Sequence, residues 1–446
     1  MNGFRIREQM NGVREAPGKI WFWELEAGVI DAGRCIQCGA CVAVCPSDSI
    51  AVGDEGLPVL AKMCTGCSLC WDFCPRGGLR YEATWRLVDG LGEGANGHGE
   101  AMAGGLHRAA HADGGDAPAL RVAPWKITGA TPTGNGAERC ADVRAIDTVR
   151  ASYSAKARET LAGGQDGGVV SAILLALLEA GEIDGVLLAR QSERERWKAE
   201  PYLATSAEEV RACAGTIYNQ TMALGHLTSE LLSRRGLSAD ARLAAVGTPC
   251  EVQALRAIRA RPWHRGSARV DNVRLTIALL CTKSFNYEKL MVELIAQERG
   301  IGLDQIGRVD VIRGRLIIQD HERRTLLEEP IKRFHGAALK GCDECADFLG
   351  NAADLSVGSV GSDDGRSTLL VRSEVGERAL DLARARLELR PLERPQALDK
   401  LDALDKRTAF QTLARPFDPE APMFIDYREH VAHYGRTDRA PVIPDR

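Results

Sequence analysis

Two runs of cysteine constrain this chain more than any other feature in it. "RCIQCGACVAVCPSDSI" places Cys35, Cys38, Cys41 and Cys45 ahead of Pro46, and "MCTGCSLCWDFCPRGGL" repeats the spacing with Cys64, Cys67, Cys70, Cys74 and Pro75. C-x2-C-x2-C-x3-C-P wraps a short loop around one face of a four-iron cubane, so three thiolates of a run reach three irons. The fourth cysteine is carried away by the turn and the proline and serves the other cluster. The expected ligand sets are therefore Cys35, Cys38, Cys41 and Cys74 for one [4Fe-4S] cluster, and Cys64, Cys67, Cys70 and Cys45 for the second. Gly39 and Gly66 fall between ligands, where a side chain would crowd a cluster. Zinc is the competing occupant, but neither run holds a histidine or the two separated C-x2-C pairs that zinc sites use.

The rest of the composition narrows the setting. Fourteen cysteines in 446 residues ask for metal if the compartment is reducing, as the cytoplasm is. A cytoplasmic location is the expectation, since Arg5, Arg7 and Glu8 stand where a signal peptide would be apolar. The most apolar stretch, "GVVSAILLALLEAGEIDGVLLAR", is broken by Glu179, Glu182 and Asp184, so no direct membrane span is expected. A net charge of -4 and 5% aromatic residues leave neither a basic stripe for phosphates nor a stacking platform for bases, which argues against nucleic acid.

Composition changes sharply along the chain. Residues 1–88 hold both cysteine runs; residues 89–142, "GLGEGANGHGEAMAGG" and onward, are a Gly/Ala-rich linker or insertion without period. His98, His107 and His111 in it are irregularly spaced and are expected to be solvated. From 143 to 376 the pattern becomes α/β. "GGVVSAILLALLEAG" predicts a buried helix closed by Gly181, and "IDGVLLAR", "RLAAVGTP", "VRLTIALLC" and "ADLSVGSVG" predict apolar strands. Residues 377–446, with "LARARLELRPLERPQALDKLDALDK", predict a charged, solvated helical extension, or a helix that docks a partner.

Two features of the α/β segment carry chemistry. Gly167 and Gly168 stand immediately before the predicted helix, with Ser171 in its first turn, and free N–H groups at a helix start suit a phosphate. The same glycines also suit an ordinary loop, and the string matches neither G-x-G-x-x-G nor a Walker loop. Cys250, Cys281 and the C-x2-C pair Cys342 and Cys345 supply a third four-thiolate set from distant segments. Spacing alone leaves iron–sulfur and zinc both open there. Cys140 and Cys213 are left over and are expected to be small buried thiols.

The strings "GQDGGVVSAILLALLEAGEIDGVLL", "AGTIYNQ", "AAVGTPCEVQALR", "LLCTKSFNYEKL" and "GCDECADFLGNAADLSVGSVGSDDGRSTLLVRSEVG" recur in family order across residues 143 to 376. Together they resemble the family of beta subunits of coenzyme F420-reducing hydrogenases and F420-dependent dehydrogenases. With the double-cluster segment in front, the chain is most similar to the F420H2 dehydrogenase input branch or the beta subunit of F420-linked formate dehydrogenase. The resemblance implies an N-terminal two-[4Fe-4S] ferredoxin-like α+β domain, followed by an α/β domain of the F420 hydrogenase beta-subunit type carrying FAD and a third [4Fe-4S] cluster. It implies that Gly167, Gly168 and Ser171 contact the flavin nucleotide, that Gly215, Thr216, Tyr218, Thr248 and Lys283 surround the flavin, and that Cys250, Cys281, Cys342 and Cys345 hold the third cluster. Arg366 departs from the pattern, standing where an aromatic residue is expected.

A deazaflavin gives two electrons at once as hydride, a cluster accepts one, and a flavin does both, so the flavin must sit between them. No acid or base beyond FAD is required; Lys283 is the candidate cation near flavin N1, with solvation or a phosphate as its alternatives. The expected partners are coenzyme F420 and a redox complex: a hydrogenase, a formate dehydrogenase or a complex I-like assembly. The alternatives are a flavin-free polyferredoxin wire, a hydroxymethyl chlorophyll reductase-like enzyme and a zinc-knuckle interaction module.

Overall fold

The computed structural model describes residues 21–77, 145–160, 163–259 and 266–413. The expected insertion 89–142, with His98, His107, His111 and Cys140, lies outside the described residues.

Each cysteine run contains a short helix, Ala40–Val44 in the first and Leu69–Asp72 in the second. Gly39, at φ 78°, and Ser68, at φ 66°, turn the chain into these helices through the left-handed region. Strands β1 (Ile50–Val52) and β2 (Pro58–Leu60) pair antiparallel between the runs, Ile50 opposite Leu60. This duplicated half-motif is the ferredoxin-like pattern that the spacing predicts.

The larger part is an eight-stranded mixed sheet. Its strands are β3 (Ala151–Ala157), β4 (Gly185–Gln191), β5 (Ala199–Ala204), β6 (Leu243–Gly247), β7 (Val273–Leu279), β11 (Leu355–Gly358), β12 (Ser367–Val371) and β13 (Leu387–Arg390), in the spatial order β13-β3-β12-β11-β7-β6-β4-β5. The four central strands β11, β7, β6 and β4 are parallel, and antiparallel strands finish both sides. Parallel strands are buried on both faces and so read as continuous apolar runs, which is why "RLAAVGTP" and "VRLTIALLC" were legible as strands.

The predicted helix is Val169–Glu179. Gly168 (φ 63°) caps its start and Gly181 (φ 66°) follows its end. Ile173, Leu174 and Leu175 pack on one sheet face against Ile277, Leu355 and Leu369. The cysteine-rich part covers the other face: Ile36, Val44, Leu69 and Phe73 share a core with Leu187, Leu243, Leu255 and Val273. Each such side chain contributes about 1.5–3 kcal/mol on burial, so this is a fixed interface. Met222 N donates to the Gln37 carbonyl at 3.0 Å, and Asp48 accepts from Ser267 N at 2.9 Å across it.

Two parts of the architecture differ from the sequence expectation. Strands β8 (Ile306–Ile312), β9 (Arg315–Asp320) and β10 (Thr325–Pro330) form an antiparallel meander that, with the helix Glu288–Gln297, builds a separate core around Phe334, Ile295 and Ile318. The segment after 376 is not simply a solvated helix. A helix Glu374–Ala383 runs through the expected boundary, β13 adds an edge strand beside β3, and the helix Pro395–Leu413 packs on the turn Lys340–Glu344. Asp402, Asp405 and Lys406 of that last helix are buried, with Lys406 donating to Asp402 at 2.6 Å. Part of the charge there is turned inward, while Lys400 and Arg407 stay exposed. Residues 414–446 lie outside the described residues.

Candidate functional site

Strands β6 and β7 end side by side, Gly247 opposite Ala278, and their C-terminal ends deliver Thr248–Cys250 and Cys281 to one edge of the sheet. That edge is where open parallel sheets place their ligands. Cys250 starts the helix Pro249–Arg259, while Cys342 and Cys345 come from the turn Lys340–Glu344 and its C-terminal cap. Leu339 N donates to the Ser284 carbonyl at 2.8 Å and Cys281 N to the Phe348 carbonyl at 3.3 Å, which draws the two segments together. The four thiols are mutual neighbours. Burial raises the Cys281 thiol well above its ordinary range, with Cys342, Cys250 and Cys345 adding to the rise. Ser284 N donates to Cys342 Sγ at 3.4 Å, and Thr248 Oγ1 lies 3.1 Å from Cys250 Sγ.

The N-terminal thiols form two further sets in which the fourth cysteines are exchanged. The Cys41 thiol is raised by burial first, then by Cys35, Cys38, Cys74 and Cys70. Cys64 is raised by burial, then by Cys67 and Cys45 after its backbone donors. Cys45, Cys64, Cys67 and Cys70 line one pocket together with Ser47, Ser49 and Thr65. Backbone amides point at the sulfurs: Gln37 N to Cys35, Ser49 N to Cys45, Gly66 N to Cys64 and Arg76 N to Cys74, at 3.3–3.4 Å. Such donors are what a thiolate-held cluster uses to moderate its charge. In the Cys64 set the thiols line a space rather than meet at a point. Among the described residues no three His, Cys, Asp or Glu side chains gather as one ion would require.

The sets follow one another. Cys41 shares a core with Cys70 of the second set, and Cys38 with Cys250 of the third. Gly39 and Gly66 are packed tightly, though against protein: an added β carbon would stand 2.4 Å from Gly225 N at Gly39 and 2.8 Å from the Trp21 ring at Gly66.

The glycine loop sits at the same end of the sheet. Gly167 N donates to Ser367 Oγ at 3.0 Å, and an added β carbon would stand 2.5 Å from the Ala155 carbonyl, so the helix start is clamped onto β3 and β12. Ser171 lies partly exposed in the first turn. Gln165 reaches across to the Val309 carbonyl at 2.8 Å and Asp310 at 2.9 Å. Asp166 is pushed up to about 6 by burial and then by Asp310. The exposed Gly215, at φ 136°, lies against the Gly163 carbonyl, which joins the "GTIY" loop, with Thr216 and Tyr218 half-buried, to the glycine loop. The Tyr218 hydroxyl accepts from Val311 N at 3.0 Å, and Tyr218 lines an aromatic pocket with Trp197, Phe285, Tyr287 and Met291. Two residues on, Gln220 Nε2 donates to Thr248 Oγ1 at 3.2 Å and Ser284 Oγ at 2.8 Å, beside Cys250 and Cys342. The Gly215–Gln220 segment thus connects the glycine loop to the third thiol set.

Lys283 pairs with Asp343, next to Cys342, so its ammonium lies at the third thiol set. Arg366 takes the place of an aromatic by fastening backbone. Its buried guanidinium donates to Ser154 Oγ at 3.0 Å and to the carbonyls of Ser154 and Glu388, both at 2.9 Å. The half-buried Cys213 thiol is pushed up to about 11 by burial. The sequence reading missed Gln220 and Ser284, which no spacing marks, and the buried Arg34 and Arg76, which directly flank cysteines.

Three family descriptions match the chain. "4Fe-4S dicluster domain" covers residues 28–80; "Coenzyme F420 hydrogenase/dehydrogenase, beta subunit N-term" covers 152–228, and the C-terminus of the same beta subunit covers 240–395. An F(420)H(2) dehydrogenase subunit of Methanosarcina mazei is 28% identical over 377 residues, which is 81% of this chain and 86% of that protein. Coenzyme F420 hydrogenase subunit beta of Methanothermobacter thermautotrophicus is 30% identical over 264 residues, 58% of this chain and 90% of that protein. Among solved structures, a chain of the F420-reducing [NiFe] hydrogenase complex from Methanosarcina barkeri superposes with a TM-score of 0.55 at 27% identity, covering 60% of this chain and 91% of that one.

Proposed function

Because the chain belongs to the family of coenzyme F420 hydrogenase/dehydrogenase beta subunits, we propose that it exchanges hydride between coenzyme F420 and a bound FAD and relays single electrons through three [4Fe-4S] clusters to or from a partner complex. It is an F420-dependent oxidoreductase with a two-cluster domain in front. The observation that carries the relay is the succession of the three thiol sets, Cys41 sharing one core with Cys70 and Cys38 sharing another with Cys250.

When bound, the flavin converts paired electrons into single ones. The chain's own residues supply position and field. Cys35, Cys38, Cys41 and Cys74, then Cys64, Cys67, Cys70 and Cys45, then Cys250, Cys281, Cys342 and Cys345 are the proposed ligand sets. Ligation by thiolates means that loading must release protons, and the amides of Gln37, Ser49, Gly66, Arg76 and Ser284 are already aimed at the sulfurs. Gly167 and Gly168, whose own N–H groups bond Ser367 and Gln165, shape the turn, and Ser171 with the rest of the first turn of the eleven-residue helix would offer N–H groups to the flavin's phosphates. Gly215, Thr216 and Tyr218 line the approach, and Thr248 and Gln220 tie it to the third set. Lys283, paired with Asp343 beside Cys342, would supply a cation to the flavin N1 region from the third ligand set.

The direct test is oxidation of F420H2 with an artificial electron acceptor, run beside NADH and NADPH under anaerobic conditions. Turnover with F420H2 alone supports the proposal. Turnover with a nicotinamide only, or protein lacking flavin absorption, returns the reading to another hydride donor or to a flavin-free wire. The partner is expected to be a complex that takes electrons at the Cys64 set. No helix among the described residues is long and apolar enough to cross a membrane.

A further inference from the structure

Arg34 and Arg76 flank proposed ligands of the first cluster, Cys35 and Cys74, and both are buried, at 8% and 3% exposure. Their surroundings differ. Arg34 gives Nε and Nη2 to the two oxygens of Glu344 at 2.5 and 2.7 Å, and its other donors go to the carbonyls of Gly28 and Arg76. A guanidinium matched by a bidentate carboxylate is neutral as a pair. Arg76 has carbonyl partners instead: Nε donates to Gly341 O at 2.5 Å and Nη1 to Pro75 O at 2.6 Å. Among the described residues no carboxylate forms an ion pair with it.

A buried guanidinium needs counter-charge nearby, since desolvation without one is costly. The Arg76 backbone N–H also points at Cys74 Sγ at 3.3 Å, and its partner Gly341 immediately precedes Cys342, so thiolates at those two ligands would supply the counter-charge. Its charge therefore faces four-thiol sets on both sides, and its two carbonyl partners lie on the turns that carry Cys74 and Cys342.

We propose that Arg76 is a positioning residue for electron transfer: a permanent cation wedged between the first and third cluster sites, which favours the reduced state of both and pins their ligand turns together. This rests on the three-cluster reading above. In the step it governs, one electron leaves the third cluster and arrives on the first. No bond forms or breaks at the guanidinium, which keeps its protons throughout.

The test is an anaerobic redox titration, followed by electron paramagnetic resonance, on the full chain carrying its clusters. Wild type, Arg76→Gln, Arg76→Lys and Glu344→Gln are compared after iron determination. Arg76→Gln should lower the midpoint potentials of the first and third clusters by at least a tenfold change in the reduction equilibrium, about 59 mV for one electron. The Cys64-set cluster should not move. Arg76→Lys should restore most of the shift. Glu344→Gln unmasks Arg34 as a second buried cation beside the same two sites, so it should move their potentials upward and calibrates the sign; if Arg76→Gln fails to load, Arg76→Lys is read instead, with the same two potentials shifted less and the Cys64-set potential unmoved. Wild-type iron near eight atoms per chain, two cubanes' worth, would sink the three-cluster reading itself. With about twelve, unmoved potentials, or equal shifts at all three clusters, would overturn this inference alone.

Discussion

A β carbon placed on Gly341 would stand 2.0 Å from the carbonyl oxygen of Arg34. The turn carrying Cys342 and the segment entering Cys35 are thus pressed together without space for a methyl group, and through them the third thiol set is held against the first. Backbone on both sides leaves no flexible side chain to move aside. Gly341→Ala should cost about 1–3 kcal/mol as overpacking and should slow electron passage between third and first clusters. Denaturant unfolding of the iron-loaded protein and stopped-flow reduction by F420H2 check both; an alanine variant equal to wild type in each would show that the contact is not tight.

Removing one thiol of the third set tests its membership. Cys342→Ser should lower iron from about twelve to about eight atoms per chain, because Ser284 N then faces a hydroxyl in place of a thiolate. Flavin should still be reduced by F420H2, while the N-terminal clusters stay oxidised. Unchanged iron content would remove Cys342 from the site.

Asp166 gives a pH dependence with a definite sign. Its carboxyl, raised from 3.8 to about 6 by burial and by Asp310, is neutral in the folded chain between those values and anionic above them. The folded state holds the extra proton in that window, so stability decreases as pH rises from 3.8 toward 6. The same change adds negative charge beside the helix start at Gly168, where a phosphate would sit. FAD affinity, measured by flavin fluorescence, should therefore weaken as pH rises through about 6, and Asp166→Asn should abolish the dependence. A flat wild-type profile would separate Asp166 from the nucleotide.

Gly167→Ala probes the same helix start sterically. The new methyl would meet the Ala155 carbonyl at 2.5 Å and Ser367 N at 2.7 Å. Loss of flavin with iron content retained is the expected outcome, measured on the purified protein. Retained flavin at normal stability would mean that the loop has more freedom than its packing implies.

The cysteine runs were legible because their ligand spacing is local: three residues on one loop define three of the four ligands of a site, and the proline marks the exchange of Cys45 and Cys74. Cys250 and Cys281 were harder. Nothing in their spacing joins them; what does is that each follows a central parallel strand, and β6 and β7 are neighbours. The meander β8–β10 was missed because its strands, such as "RLIIQD", mix exposed and buried positions on a sheet separate from the main one. In the tail, "LELR" alternates with the two-residue period of an edge strand, yet it was absorbed into a charged helix because arginine and glutamate dominate around it. The burial of Asp402, Asp405 and Lys406 had no local signal, since a buried ion pair and a solvated one are spelled alike. Arg76 was hidden for the same reason: only the fold shows that thiols from two distant segments surround it.

The account turns on one chain carrying a flavin and three cubanes in electronic contact. Anaerobically reconstituted protein should contain about twelve irons and one flavin, and F420H2 should bleach the flavin bands and the broad cluster absorption together. About eight irons with no yellow cofactor, or flavin bleaching that leaves the cluster absorption untouched, would contradict it.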